Sequence, residues 1–445
     1  MESVAIFYFS GLELVLLGLI TIAGVLLSVM FDFPLVIGFF PGYFILAVLS
    51  FRKGVSVSEI LKISFRGIQK TKIVIMILFL VSFILPSWDL AGTINQMVAL
   101  AIQWITPKHF LVFSFIAAGI FSMILGTSIG TLSSIGIPII GTAVILHIPL
   151  AAAAGAVVSG AFVGDRTSPF SSSHQLLAST VELPVKQQFK AMLITTLLAG
   201  VGAIIFYSVL DYYNASSSAV SLSRSQPLTI SFIKLIPPLV LIAFVMFRVT
   251  IVYAFLSSIL SAGVIALISG TGGLKIAYTF WYGIEGLGGG LLHMYQLLLF
   301  LALAGAFNGL LEELNVIQPI LNQWLSSSRS FVSDTLKIMA ATLLISMVAA
   351  NQTLPIILTG RSFLPVWKRK YGNAEIARVM ADSTMLFPGM IPWSVLAIMS
   401  STIVGVPLLN YLPYAVFLWG LPLLTFAVSF YKQLKQRRKP TATAA

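Results

Sequence analysis

VGDRTSPFSSSH, residues 163–174, decides how this chain folds. Upstream lies AAAAGAVVSGAF (151–162), small and apolar enough for the interior of a membrane helix. An ionised side chain at the bilayer centre costs about 3 kcal/mol even on the lenient insertion scale, so Asp165 and Arg166 need a reason to be there. Pro169 forces a break, because it has no N–H to donate and pushes Ser168 out of helical backbone. A helix broken at membrane depth frees carbonyls on one side and N–H groups on the other. Such irregular backbone survives only where it is buried in protein or faces water. Asp165 adds a carboxylate; Thr167, Ser168, Ser171, Ser172 and Ser173 add neutral oxygens. An all-oxygen set of this kind suits a hard cation such as Na⁺. Arg166 either pairs with the acid or points along the helix; the sequence leaves both open.

The rest of the chain is consistent with a membrane setting. Of 445 residues, 58% are hydrophobic and 9% charged, against about 25% charged in a soluble domain. Mean hydropathy is +1.00. The N-terminus, MESVAIFYFSGLEL, lacks a basic leader and an A-x-A-like cleavage site and reads as a retained first span. With no cysteine, disulfides, thiolate metal sites and a cysteine nucleophile are excluded. The four histidines (His109, His147, His174 and His293) make no H-x-x-x-H spacing, which argues against a catalytic metal centre. His147 and His293 read as packing residues.

A span needs about 20 apolar residues. Full spans are expected near 5–29, 33–51, 73–90, 191–210, 233–249, 251–269, 292–310 and 411–430. The regions 150–180 and 376–405 are long enough to cross but are interrupted by polar residues and proline. The regions 110–147 and 334–364 carry polar tips and read as re-entrant hairpins. That makes about ten crossings and two hairpins. Eighteen of the 26 basic residues then fall in cytoplasmic segments and four (Lys108, Arg224, Lys234, Lys275) in outer ones. The positive-inside rule puts both termini in the cytoplasm, with KQLKQRRK as a topology anchor.

Three pairs of segments recur at a near-constant offset. FRGIQKTKIVIMILFLVSF (65–83) matches WYGIEGLGGGLLHMYQLLLF (281–300), LGTSIGTLSSIGIP (125–138) matches AANQTLPIILTG (349–360), and GDRTSPFSSS (164–173) matches ADSTMLFPGMIPW (381–393). Residues 1–213 and 233–431 therefore form two repeats of five crossings each, separated by an external linker at 214–232 and followed by a basic cytoplasmic tail at 432–445. An odd number of crossings inverts the second repeat. The expected fold is an all-α polytopic membrane protein with two inverted repeats, each holding a hairpin and a broken helix. In secondary transporters such repeats bind substrate near the midplane.

The second half repeats the first half's chemistry with Asp382, Ser383 and Thr384, followed by Pro388, Gly389 and Pro392. Hairpin tips add Thr127, Ser128 and Thr131 from one half and Asn351, Gln352 and Thr353 from the other. Single Ser and Thr residues are common packing glue between membrane helices. Asp165 and Asp382, at matching places in a repeat, are the stronger candidates for holding Na⁺. Asp89, Glu312 and Glu313 follow apolar spans and read as interfacial. GLGGG (286–290) reads as a flexible helix start, since no strand precedes it to make a nucleotide loop.

These motifs, in this order, resemble the NhaC family of sodium/proton antiporters, within a wider group of ion and organic-anion transporters with inverted repeats. GTSIGT (126–131) is similar to that family's GTSWGT, and GDRTSPFSSS to its GDKxSPLSDTT. NQTLPIILTGRSF (351–363) is similar to its GDQYxSIxLPGRMF, and ADSTMLFPGMIPWS (381–394) to its EDSGTxTSPLIPWN. Two family carboxylates are replaced, by Ser172 and Asn351. The resemblance implies a multi-pass plasma-membrane antiporter that exchanges Na⁺ for H⁺ by alternating access. Two alternatives remain: Na⁺-coupled movement of a small organic anion or amino acid, and, from another class, an intramembrane aspartyl protease. The protease's G-x-G-D signature is absent, because Phe162, Val163 and Gly164 precede Asp165. No cofactor is expected beyond the transported Na⁺ and H⁺. The partners expected are the lipid bilayer, monovalent cations, a small organic solute in the alternative reading, and a second copy of the chain as a homodimer. No nucleic acid is expected.

Overall fold

The break at Pro169 is where the sequence puts it. The computed structural model describes residues 9–31, 33–104, 107–217, 231–247, 249–284, 289–317 and 330–438. In it, helix Leu150–Thr167 (labelled α8 below) ends as Ser168 turns extended, at φ −66° and ψ 134°. Helix Ser172–Thr180 (α9) starts four residues on, with the Ser171 hydroxyl capping its N-terminus. Most of the 214–232 linker, four residues of the 284–289 junction, and the tail beyond Arg438 lie outside the described residues.

All regular elements among the described residues are helical. The chain begins with α1 (Gly11–Met30), α2 (Leu35–Arg52), α3 (Val57–Leu90) and α4 (Thr93–Trp104). A hairpin follows, with α5 (Phe110–Leu125) as its first arm. Its second arm comprises α6 (Ser128–Thr131), a π-helical turn Leu132–Gly136 and α7 (Ile137–Ile145). Pro138, which cannot donate to Ser134, lies just past the π turn. After α8 and α9 comes the long α10 (Val185–Ser217).

The second half continues with α11 (Ile236–Met246), α12 (Ile251–Ile268), α13 (Gly273–Tyr282) and α14 (Leu291–Glu313). Then a hairpin-like pair, α15 (Phe331–Ala349) and α16 (Thr353–Lys370), precedes the second broken segment. That segment is α17 (Asn373–Asp382), irregular backbone with one 3-10 turn at Phe387–Gly389, and α18 (Val395–Val404). The short α19 (Leu408–Tyr411) and the last helix, α20 (Val416–Arg438), complete the chain.

Seven described helices are long and apolar enough to cross a membrane, or eight if one pair bent by 82° counts as a span. The ten expected crossings differ from this for local reasons. The stretch near 233–249 forms only an 11-residue α-helix behind a 3-10 turn, because Pro237 and Pro238 fit only its first turn. Conversely, α15 is 19 residues and long enough to cross by itself, since Ser330 caps it upstream of the expected start. Helix α3 runs 34 residues, about 51 Å, instead of the eighteen expected from apolarity alone. Its first sixteen residues are too basic to register as a span but remain helical.

Polarity is distributed as a bilayer requires. Ile194, Leu197, Leu198, Val201 and Ile205 form an exposed stripe down α10, while Asp165, Arg166, Asp382 and Thr195 are buried. Lipid accommodates the first set, and only protein partners can accommodate the second.

The α5–α8 crossing positions the site. Gly160 and Gly164 lie on one face of α8, spaced as small-xxx-small, and let the backbones touch. A methyl at Gly164 would meet the Ser122 carbonyl carbon at 2.0 Å, and one at Gly160 would meet the Phe115 oxygen at 2.4 Å. The Ser122 hydroxyl donates to the Ala161 carbonyl across this seam. At the far end, both Asp211 oxygens accept the Leu111 and Val112 N–H groups, at 3.0 and 3.1 Å, so α10 caps the start of α5. Gly164→Ala is expected to lose about 1–3 kcal/mol through overpacking. Gly200→Ala, with nothing within 4 Å, should be neutral. Thermal unfolding in detergent compares the two; equal stabilities would contradict the packing argument.

Candidate functional site

Breaking α8 frees carbonyls, and the chain satisfies two of them internally. The Ser171 hydroxyl donates to the Asp165 carbonyl. His174 Nδ1 lies 2.7 Å from the Arg166 carbonyl, and its Nε2 lies 3.5 Å from that of Val185. His174 is wholly buried and closes the break. Thr167 donates to the Val163 carbonyl, and Ser168 donates to Met123 O at 2.8 Å. These hydroxyls hold backbone together.

The Asp165 carboxylate is different. It is 7% exposed and has no basic side chain within ion-pair distance among the described residues. Its two hydrogen bonds are long: Oδ1 accepts the Ser128 N–H at 3.4 Å, and Oδ2 accepts Gln352 Nε2 at 3.3 Å. The Ser128 hydroxyl lies beside the same carboxylate yet is buried without a hydrogen-bond partner. Both hairpin tips thus converge on one acid.

Turn geometry delivers the tips. Gly126 ends α5 in the left-handed region at φ 70°, and Ala350 ends α15 the same way at φ 54°. For alanine that conformation costs about 1–2 kcal/mol; the Ala350 carbonyl accepts Val395 N–H at 2.8 Å, which helps hold it. Beyond this turn the Gln352 amide donates to Met385 O at 2.7 Å and accepts from the Ser173 hydroxyl at 2.6 Å. One side chain joins both broken segments.

Asp382 is satisfied already. It is fully buried and ion-paired with Arg166, which is also fully buried. Asp382 Oδ1 also accepts from Thr195 at 3.0 Å, and Oδ2 accepts from Thr425 at 2.6 Å. Arg166 donates further to the Ala381 carbonyl at 3.1 Å, to Thr195 at 3.2 Å and to Thr196. Charges continue outward, with Arg378 Nη1 3.8 Å from Asp382 and Glu375 3.3 Å from Arg378. Lys432 pairs with Glu375. Arg166 therefore turns away from its neighbour Asp165 and pairs with the acid of the other half.

The remaining predicted residues scatter around this core. Ser383 donates to Val379 O at 2.6 Å. Thr384 joins Thr342 and Thr359 in a buried hydroxyl cluster with contacts of 3.0 and 3.1 Å. Thr131 donates to the Thr127 carbonyl at 2.8 Å, and the Thr127 hydroxyl accepts Gly130 N–H at 3.4 Å. Asn351 accepts Leu354 N–H at 3.0 Å, and Thr353 is exposed. Ser172 is exposed as well. Sequence reasoning missed Thr195, Thr196, Thr425 and His174. No group of three or more His, Asp or Glu residues able to hold a metal occurs among the described residues.

Known antiporters are similar to this chain along most of its length. The chain is 27% identical over 392 residues to the Na⁺/H⁺ antiporter NhaC of Bacillus subtilis strain 168, covering 82% of this chain and 86% of that one. It is 27% identical over 408 residues to the malate-2H⁺/Na⁺-lactate antiporter of the same organism, covering 87% of each. It is 25% identical over 364 residues to the arginine/ornithine antiporter ArcD of Halobacterium salinarum, covering 76% of this chain and 75% of that one. All three are named as antiporters. With residues 160–432 matching its profile, this chain belongs to the Na⁺/H⁺ antiporter family.

Proposed function

We propose that this multi-pass membrane antiporter exchanges Na⁺ for H⁺ by alternating access, with both ions competing for the Asp165 carboxylate. One observation carries the reading: Asp165 is a buried acid with no basic partner among the described residues, reached by both hairpin tips through long hydrogen bonds. A carboxylate holding either Na⁺ or a proton is the simplest device for exchange, because occupancy by one excludes the other. Ser128 and the oxygens near the break complete a hard-cation shell, and Asp382 supplies the counter-charge that keeps Arg166 away from it. On this reading residues 1–213 and 233–431 are inverted repeats, both termini are cytoplasmic, and the hairpin tips rock with the broken helices between two faces.

A second reading has a specific observation behind it. The chain has Ser172 and Asn351 where the family pattern has acids, and two similar antiporters are named for organic solutes. Na⁺-coupled exchange of a small carboxylate or amino acid is therefore kept as the alternative. Purified protein in liposomes separates the two. An imposed Na⁺ gradient is expected to move protons the opposite way without any organic solute, with apparent Na⁺ affinity worsening as pH falls. Proton movement that depends on an added carboxylate or amino acid would favour the alternative.

A further inference from the structure

We propose that the cavity where α3 crosses α14 is a cation antechamber serving Asp165, with Glu312 attracting the ion and Lys70 restraining it. The proposal rests on the reading of Asp165 as the ion site. Glycines create the crossing: a methyl on Gly67 would meet the Gly305 carbonyl at 2.2 Å, and one on Gly309 would meet the Ile63 carbonyl at 2.8 Å. Beside them lies a cavity of about 110 Å³ lined by Gly67, Lys70, Asn308, Glu312 and Asn351, among others. A water needs only about 10–15 Å³ of such volume, so several waters or a partly hydrated cation fit.

At the cavity's mouth Lys70 and Glu312 are paired at 2.9 Å and are 55% and 34% exposed. Asn351, half-buried, also lines the cavity, and its neighbour Gln352 donates to Asp165. Asn308 Nδ2 is anchored on the Ala349 carbonyl at 2.8 Å, which fixes the amide, and its Oδ1 is buried without a partner. A buried acceptor oxygen needs a donor or a cation, and its residue lines a cavity that also carries the Glu312 carboxylate. An adjacent pair, Arg66 and Glu313 at 2.7 Å, does not line the cavity and is a built-in control.

A structural bridge and an electrostatic gate predict opposite patterns. If the Lys70–Glu312 pair only tied two helices, removing either partner would have the same effect. As a gate, Glu312→Gln lowers the local cation concentration and Lys70→Gln raises it. The test is Na⁺-dependent proton movement in everted membrane vesicles at low ionic strength. Glu312→Gln should raise the apparent KM for Na⁺ roughly threefold or more, Lys70→Gln should lower it by a similar factor, and Glu313→Gln, outside the lining, should shift it clearly less. Both shifts should shrink when impermeant salt is added. Shifts of the same sign, or an equal shift from Glu313→Gln, overturn the proposal. If KM stays fixed in all three while Asp165→Asn abolishes exchange, the antechamber is refuted and the Asp165 site stands. Exchange retained in Asp165→Asn overturns both.

Discussion

Asp165→Asn is expected to abolish Na⁺-dependent proton exchange while leaving the protein at least as stable as the parent. Taking the charged ligand from a buried ion costs about 3 kcal/mol or more, roughly a hundredfold in affinity. The amide has one acceptor oxygen, so it keeps the Ser128 or the Gln352 bond and loses the other, and both are already long, at 3.4 and 3.3 Å. The buried charge it removes has no basic partner among the described residues, so folding loses little and can gain. Flux in proteoliposomes and thermal unfolding in detergent, measured on the same preparation, give both readings. Normal flux would remove the site assignment, and a large loss of stability would show that Asp165 is structural.

Asp382→Asn should behave the opposite way in the unfolding measurement. It leaves the guanidinium of Arg166 fully buried with no carboxylate, and breaking a buried pair from one side costs about 3–5 kcal/mol. Arg166→Gln should lose less, because Arg378 Nη1 remains 3.8 Å from Asp382. Removing both together should cost clearly less than the two single losses added, because the double variant leaves no lone charge at this pair; coupling of about 1–3 kcal/mol is usual for groups in one network. Strict additivity, or an Asp382→Asn protein as stable as Asp165→Asn, would contradict the pairing. The two acids that look equivalent in the repeat would then have to be treated alike.

The break at Pro169 and the turn at Gly126 were legible because each has a covalent cause. Pro169 breaks a helix, Gly126 turns one, and hydroxyls gather where backbone must be satisfied; the second segment instead breaks after Asp382, six residues ahead of Pro388. The family resemblance was legible for the same reason, since its motifs are those breaks. The pairing of Arg166 with Asp382 was not. Its partners Thr195, Thr196 and Thr425 are isolated hydroxyls in long apolar helices, where threonine is ordinary packing glue, and nothing local marks them. Matching Asp165 with Asp382 by position also hid their difference, because position in a repeat does not say which acid a neighbouring arginine reaches. Convergence of Ser128 and Gln352 on one carboxylate depends on the α5–α6 and α15–α16 turns, whose three-dimensional direction the residue pattern does not encode. Span boundaries departed where caps and prolines overrode apolarity, at Ser330 and at Pro237.

Proton release on Na⁺ binding tests the shared carboxylate most directly. Purified protein in weakly buffered detergent, held at a pH where Na⁺ and H⁺ compete, is titrated with NaCl against choline chloride while a pH dye is read. Wild type is expected to release a proton for each Na⁺ bound, and Asp165→Asn to release none. Na⁺ binding without proton release in the wild type, or undiminished release from Asp165→Asn, would contradict competition at Asp165.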